Sequence, residues 1–120
     1  MATNYKIGDK DTRPWGMWET IDVQDSFVVK RITVLPHGKL SLQKHKHRSE
    51  HWVIAEGEGL VTLNDTRKTY KRDEHIYIPK GAIHRIENQS TSPLVFIEVQ
   101  TGDLLDENDI IRLEDIYNRI

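Results

Sequence analysis

At 120 residues, with 37% hydrophobic and 30% charged side chains, the chain is sized for one domain around one core, with the composition of an ordinary soluble protein. It has no cysteine, which excludes a disulfide framework and thiolate metal ligands and fits a reducing compartment, so a cytoplasmic location is expected. A formal net charge of −2 leaves no basic footprint for nucleic acid, and no apolar run approaches the roughly 20 residues that span a bilayer, so neither nucleic acid nor membrane is an expected partner.

The first stretch, MATNYKIGDKDTRPWG, is polar and has no apolar h-region of a signal peptide; residues 1–12 are expected to form an extended arm. From Trp18 to Gln100 the chain reads as short strands separated by turn residues. The expected strands are Phe27–Leu35, Lys39–His45, His51–Ala55, Gly59–Leu63, Lys68–Lys71, His75–Ile78, His84–Asn88 and Leu94–Gln100. Pro36-His37-Gly38, Gly57, Asn64-Asp65, Pro79-Lys80-Gly81 and the run from Asn88 to Pro93 punctuate them. Short strands at this spacing predict an antiparallel sandwich or barrel over residues 13–105. After Gln100 the period changes. Asp106 can cap a helix, and Ile110, Leu113 and Tyr117 recur at i, i+3 and i+7 beside Ile116. This predicts an amphipathic helix over 106–120 packed on the outside of the barrel.

The stretch QKHKHRSEHW, 43–52, holds three of the chain's six histidines. Alternation along a strand puts Gln43, His45 and, where no turn intervenes, His47 on one face, with Leu40 and Leu42 on the other. Imidazole and carboxylate together suit one divalent ion of Zn, Mn, Fe, Co or Ni, completed by a residue distant in sequence. Ligand chemistry alone favours imidazoles, that is His45, His47, His51 and His84. If Glu50, Trp52 and Ile54 face inward, however, His51 faces out. Other residues also stand out. Lys30 shares parity with Val28, Ile32 and Val34, so its ammonium either reaches a ligand or snorkels on an outer face. Glu98 lies in LVFIEVQ, a strand apolar on both faces. There it serves either as a general base with a raised pKa or in an ion pair with Lys30 or Arg31. Arg85 follows His84 and points the other way, toward a surface salt bridge unless the turn twists it inward. Arg13 is placed to anchor the arm, and Trp15 and Trp18 to pack. Val95, Ile97 and Val99 make the other side of the last strand apolar, which predicts a homodimer.

The segment Pro79-x-Gly81-x2-His84-x3-Asn88 resembles the end of the second cupin motif, and Gln43-x-His45-x4-Glu50-x6-Gly57 fits the first, with glutamine at the first histidine position. Gly38 leads Gln43 by four residues where the motif has five, and Asp73 stands where the second motif has glycine. RPWG (13–16), VKRITV-x-P (29–36), LSLQ-x-H-x-HR-x-EHW (40–52), YIP-x-G-x2-HR-x-EN (77–88), IEVQ-x-G (97–102) and ENDIIRLEDIY (107–117) resemble the C-terminal cupin domain of type II mannose-6-phosphate isomerases. In that family the domain is usually fused to mannose-1-phosphate guanylyltransferase, in the GDP-mannose pathway.

The resemblance implies an all-β fold, the cupin double-stranded β-helix or jelly-roll barrel, here with the one C-terminal α-helix. It implies a metal held by Gln43, His45, Glu50 and His84, with His47 the substitute for Gln43. The implied reaction interconverts mannose 6-phosphate and fructose 6-phosphate, with Lys30, His47, Arg85 and Glu98 as candidates for proton transfer or phosphate contact. The Gly-rich nucleotide loop of the guanylyltransferase half is not in this sequence, so no nucleotidyl transfer is expected. Two alternatives stay open on a cupin scaffold: a sugar-nucleotide isomerase or epimerase, and a sugar-binding cupin without turnover.

Overall fold

Inward and outward side chains alternate along most strands of the computed structural model, which describes Thr3 and residues 5–120. The strands are β1 (Lys10–Arg13), β2 (Gly16–Val23), β3 (Phe27–Val34), β4 (Leu42–Lys44), β5 (Arg48–Glu56) and β6 (Glu58–Leu63), then β7 (Thr66–Lys71), β8 (His75–Ile78), β9 (His84–Glu87), β10 (Leu94–Gly102) and β11 (Ile111–Glu114). They form two antiparallel sheets, one in the order β1-β2-β3-β10-β5-β8 and the other β11-β4-β9-β6-β7. Among the described residues there is no helix, and so none long and apolar enough to cross a membrane. Of the expected arm, residues 1, 2 and 4 lie outside the described residues. Its end, from Lys10, joins the larger sheet as β1.

The inward face changes character along the strands. In β10, Leu94 and Phe96 are buried and apolar, whereas Glu98 and Gln100 are buried and polar. Antiparallel register sets the neighbours of each. Phe96 lies between Ile32 and Ile54, Glu98 between Lys30 and Trp52, and Gln100 between Val28 and Glu50. The barrel therefore has one apolar half, which is the core, and one polar half, which is a site. Phe96 and Trp52 rings pack at 4.9 Å between centroids across the boundary.

Two turns explain the motif residues around them. Gly57 joins β5 to β6 at φ +77°, where an added Cβ would lie 2.5 Å from the Pro93 carbonyl oxygen. Asp73, the departure from the second motif's glycine, adopts φ 75°, a conformation aspartate tolerates better than most residues. Asn88 is buried, and its amide donates to the carbonyls of Val34 and Ser92, at 3.1 and 2.7 Å.

The C-terminal segment corrects one expectation. Residues 106–120 form turns and β11, not a helix. Asp106 does cap, but its carboxylate accepts from the Asn108 amide in a turn that no helix follows. The supposed apolar stripe is largely solvent-facing, with Leu113 44% and Ile116 53% exposed. A helix of about 15 residues is marginal without a buried face. β4, by contrast, has a free edge, and β11 pairs with it. The expected strand over 39–45 is correspondingly reduced to Leu42–Lys44, with Lys39 bridging to Glu87 alone.

The segment ends in a local clamp. The Asp115 carboxylate accepts from the Arg119 amide at 2.8 Å, and from its Nε and Nη2 at 2.7 and 2.9 Å. These bonds draw Asp115 down to about 2 from its ordinary 3.8. A folded value below the unfolded one means that the stabilisation is complete above about pH 4 and is lost as pH falls through about 2. Asp115→Asn is expected to cost about 1 kcal/mol near neutrality, discounted for the partly exposed partner, and only a small part of that at about pH 2. Urea unfolding at the two pH values tests this, and equal losses at both would exclude it.

Candidate metal centre

Three strands and the turn between two of them build the site. β5 carries Arg48, Glu50, Trp52 and Ile54 inward by alternation and turns His51 outward, where it stacks on Tyr77 at 4.7 Å between centroids. β9 delivers His84 from the Pro79–Gly81 turn, and His84 pairs with Gln43 of β4. His45 lies just past the end of β4. The chain turns at Lys46 and His47, so inward side chains resume at Arg48, three residues on rather than two.

One ligand atom each of His45, Glu50 and His84 lies within 4.8 Å of the others. All three residues are buried, and so is Gln43 beside them. Their hydrogen bonds set the imidazoles for a cation. His84 Nδ1 lies 2.9 Å from the Ala82 carbonyl and His45 Nδ1 2.6 Å from that of Asp109. A carbonyl only accepts, so both Nδ1 atoms carry the hydrogen and both Nε2 atoms offer lone pairs. Burial holds the two imidazoles neutral, His45 pushed down to about 4 and His84 lowered likewise. His84 Nε2 is buried with no hydrogen-bond partner. His45 Nε2 faces a Glu50 oxygen at 3.2 Å. A lone pair and a carboxylate facing each other, beside an orphaned imidazole nitrogen, are a donor set that fits a divalent cation. Gln43 brings an amide oxygen whose other contact is a long one, 3.4 Å from Ser41 Oγ.

Glu50 is further anchored by Trp52 Nε1 at 2.9 Å and Arg48 Nε at 2.8 Å. Burial works against its charge, but the Arg48 guanidinium outweighs that and holds its carboxyl well below the usual range. Burial likewise works against Arg48, yet Glu50 and Glu98 keep the guanidinium protonated. Glu98 is pushed the other way, up to about 8, by burial and by the negative Glu50. Lys30, its cross-strand neighbour, is lowered to about 8 by burial. Its ammonium donates to Tyr5 Oη at 3.0 Å and lies over the rings of Tyr5 and Trp18 at 4.3 and 4.1 Å.

Lys30 and Glu98 line the same cavity of about 90 Å³ as Gln43, His45 and Glu50. Arg13, Arg112 and Arg119 also line it; Arg13 pairs with Glu107, and Arg112 Nε is buried without a partner. Two candidates are not brought there. His47 is exposed because the turn swings it outward. Arg85 is buried behind the sheet, bonded to the Leu40 carbonyl and the Glu114 carboxylate, and so ties β9 to β11. Arg48 was available to the parity of Glu50 and Trp52, and that parity is the signal that would have found it. Tyr5 sits in a segment whose sequence carries no usable period, and Arg112 and Arg119 in one whose apparent period is helical where the fold is not.

Two antiparallel sheets in this order, closed around a polar half-barrel with a His/Glu/His cluster, make this protein a cupin. Solved structures share the fold. The capsular polysaccharide assembling protein CapF from Staphylococcus aureus matches at TM-score 0.74 and 23% identity, over 88% of this chain and 34% of that one. Oxalate decarboxylase from Lactobacillus farciminis, in complex with formate, matches at TM-score 0.75 and 21% identity, over 88% and 33%. The chain belongs to the family described as mannose-6-phosphate isomerase C-terminal, which matches residues 2–115. Mannose-1-phosphate guanylyltransferase ManC of Salmonella typhimurium is 48% identical over 90% of this chain and 22% of its own length. For alginate biosynthesis protein AlgA of Pseudomonas aeruginosa the figures are 46%, 89% and 22%, and for mannose-1-phosphate guanylyltransferase of Escherichia coli K12 they are 47%, 97% and 24%. The chain thus spans about a quarter of the length of these relatives.

Proposed function

We propose that this chain is an aldose–ketose isomerase that interconverts mannose 6-phosphate and fructose 6-phosphate. The observation that carries the proposal is Glu98, a buried carboxyl pushed up to about 8 in the same cavity as His45 and Glu50, two members of the cluster that His84 completes. A divalent ion held by those three residues and Gln43 would supply Lewis-acid polarisation of the sugar's carbonyl and neighbouring hydroxyl. From aldose to ketose, a proton leaves C2 and one is returned to C1, while the hydroxyl proton on O2 passes to O1. Glu98 is the group that takes the C2 proton and returns it at C1, since a base near neutrality both accepts and releases. Lys30, held over Tyr5 and Trp18, offers a donor to an oxygen that gains charge. Arg13, Arg112 and Arg119 supply guanidinium groups for the 6-phosphate, a geometry suited to its oxygens.

Glu98→Gln tests the assignment. It is expected to lower turnover of metal-loaded protein about 10²–10⁴-fold in a coupled fructose 6-phosphate assay. Metal affinity should fall by less than the more than about 100-fold expected for loss of a ligand, since Glu98 stands behind Glu50 and is not in the donor set. Metal-loaded wild type that fails to interconvert the two sugars would overturn the isomerase reading, and a Glu98→Gln variant with full turnover would remove Glu98 from it.

A further inference from the structure

The residue that governs the ligand geometry of His45 is Asp109, some sixty positions away on the C-terminal segment. Its carbonyl lies 2.6 Å from His45 Nδ1. Its carboxylate accepts from the two amides that follow that histidine, Oδ1 from Lys46 and Oδ2 from His47, each at 2.9 Å. One residue thereby holds the imidazole and the backbone turn that carries it. Successive amides converging on one carboxylate form an anion-binding nest, which fixes the turn's backbone angles. Asp109 is itself held in a tight turn, its amide bonded to the Asp106 carbonyl at 3.0 Å. That same carbonyl accepts from Arg48 Nη1 at 3.1 Å. The 106–109 turn thus serves both a proposed ligand and the cation that anchors another.

We infer that Asp109 is the positioning residue of the metal centre, fixing His45 with Nδ1 protonated and Nε2 aimed at the ion. The Lys46–His47 turn is exposed and has no strand partner; the His45 carbonyl is held by the Gly81 amide at 3.0 Å and its Nε2 faces Arg48 and Glu50, but Asp109 alone bonds Nδ1 and the two amides that follow. Without the carboxylate the turn is free to rotate, the carbonyl contact loosens, and the imidazole samples its other tautomer. Partners behind a ligand of this kind typically change metal affinity 10–100-fold. The inference rests on the proposed ligand set but not on the isomerase activity.

The experiment has two arms. In the first, metal-free wild type, Asp109→Asn and Asp109→Ala are compared by nitrogen-15 NMR of the histidine rings, with His45→Gln used to assign the His45 signals. Wild type is expected to show His45 as the Nδ1–H tautomer, and both variants a mixture. In the second arm, Co²⁺ is titrated spectroscopically into the same proteins and into Asp103→Asn, an exposed control on the same segment. Affinity is expected to fall about 10–100-fold for Asp109→Ala, less for Asp109→Asn, and not for the control. Asp109→Asn keeps the size and one acceptor, so it retains the fold should Asp109→Ala lose it. Unchanged tautomer and unchanged affinity in Asp109→Asn and Asp109→Ala would overturn the inference. Should wild type bind no Co²⁺, the ligand set fails, and the tautomer arm still decides whether Asp109 orients His45.

Discussion

His84→Ala is expected to lower divalent-metal affinity by more than about 100-fold, beyond the range for partners behind a ligand, and to abolish isomerase turnover with it. It should do so at little cost to the metal-free fold. The side chain is fully buried, yet its Nε2 has no hydrogen-bond partner. Deleting it leaves a small void near Trp52, whose ring lies 5.7 Å from that of His84 between centroids. It also removes an orphaned polar atom, worth about 1–3 kcal/mol, which offsets much of the loss. The measurement is thermal unfolding with and without Co²⁺, beside metal analysis of the purified protein. Wild type should rise in Tm with metal, as any ligand that binds only the native state requires. The variant should start near the wild-type apo value and not respond. A variant that still binds metal with wild-type affinity would exclude His84 as a ligand.

Arg48→Met is expected to give the largest stability loss in the metal-free protein, about 3–5 kcal/mol, because it strands a carboxylate inside the barrel. Arg48 and Glu50 are both nearly inaccessible, 7% and 2% exposed, and their bond is 2.8 Å. The substitution also frees the Asp106 carbonyl, which accepts from Nη1. Methionine keeps the length and flexibility of the stem, so the loss reports the charge more than the volume. A bound divalent ion would replace the guanidinium as counter-charge to Glu50. The deficit should therefore shrink markedly when Arg48→Met is unfolded in the presence of Co²⁺. Denaturant unfolding in the two conditions checks both halves. A variant as stable as wild type without metal would show that the buried pair is not the clamp on Glu50.

These outcomes rest on local alternation and on contacts between distant segments. Alternation in RSEHWVIAE is a local property, and it correctly turns Glu50, Trp52 and Ile54 inward and His51 outward. In β3 alternation likewise gives Val28, Lys30, Ile32 and Val34 one face, and the fold makes that face the buried one. Phase was lost between His45 and Arg48, because a turn adds a residue and shifts the period. From the sequence His47 was a candidate for the site and Arg48 was given no role, whereas in the fold Arg48 faces inward and His47 faces solvent.

The C-terminal segment shows the limit most clearly. Ile110, Leu113, Ile116 and Tyr117 fit a helical period, and nothing within the segment argues against it. What decides its conformation is the free edge of β4 about seventy positions earlier, which offers unpaired backbone groups to β11.

The sequence by itself therefore determined the β class, which residues of β3 and of β5 share a face, and the turns at Gly57 and Asn88. It could do so because side-chain alternation and turn chemistry act over a few residues. Tertiary structure alone decided that Tyr5 and Trp18 hold Lys30 and that Asp109 braces His45. Each of these is a contact between segments whose separation leaves no periodic trace, and each forms only once the sheets have closed.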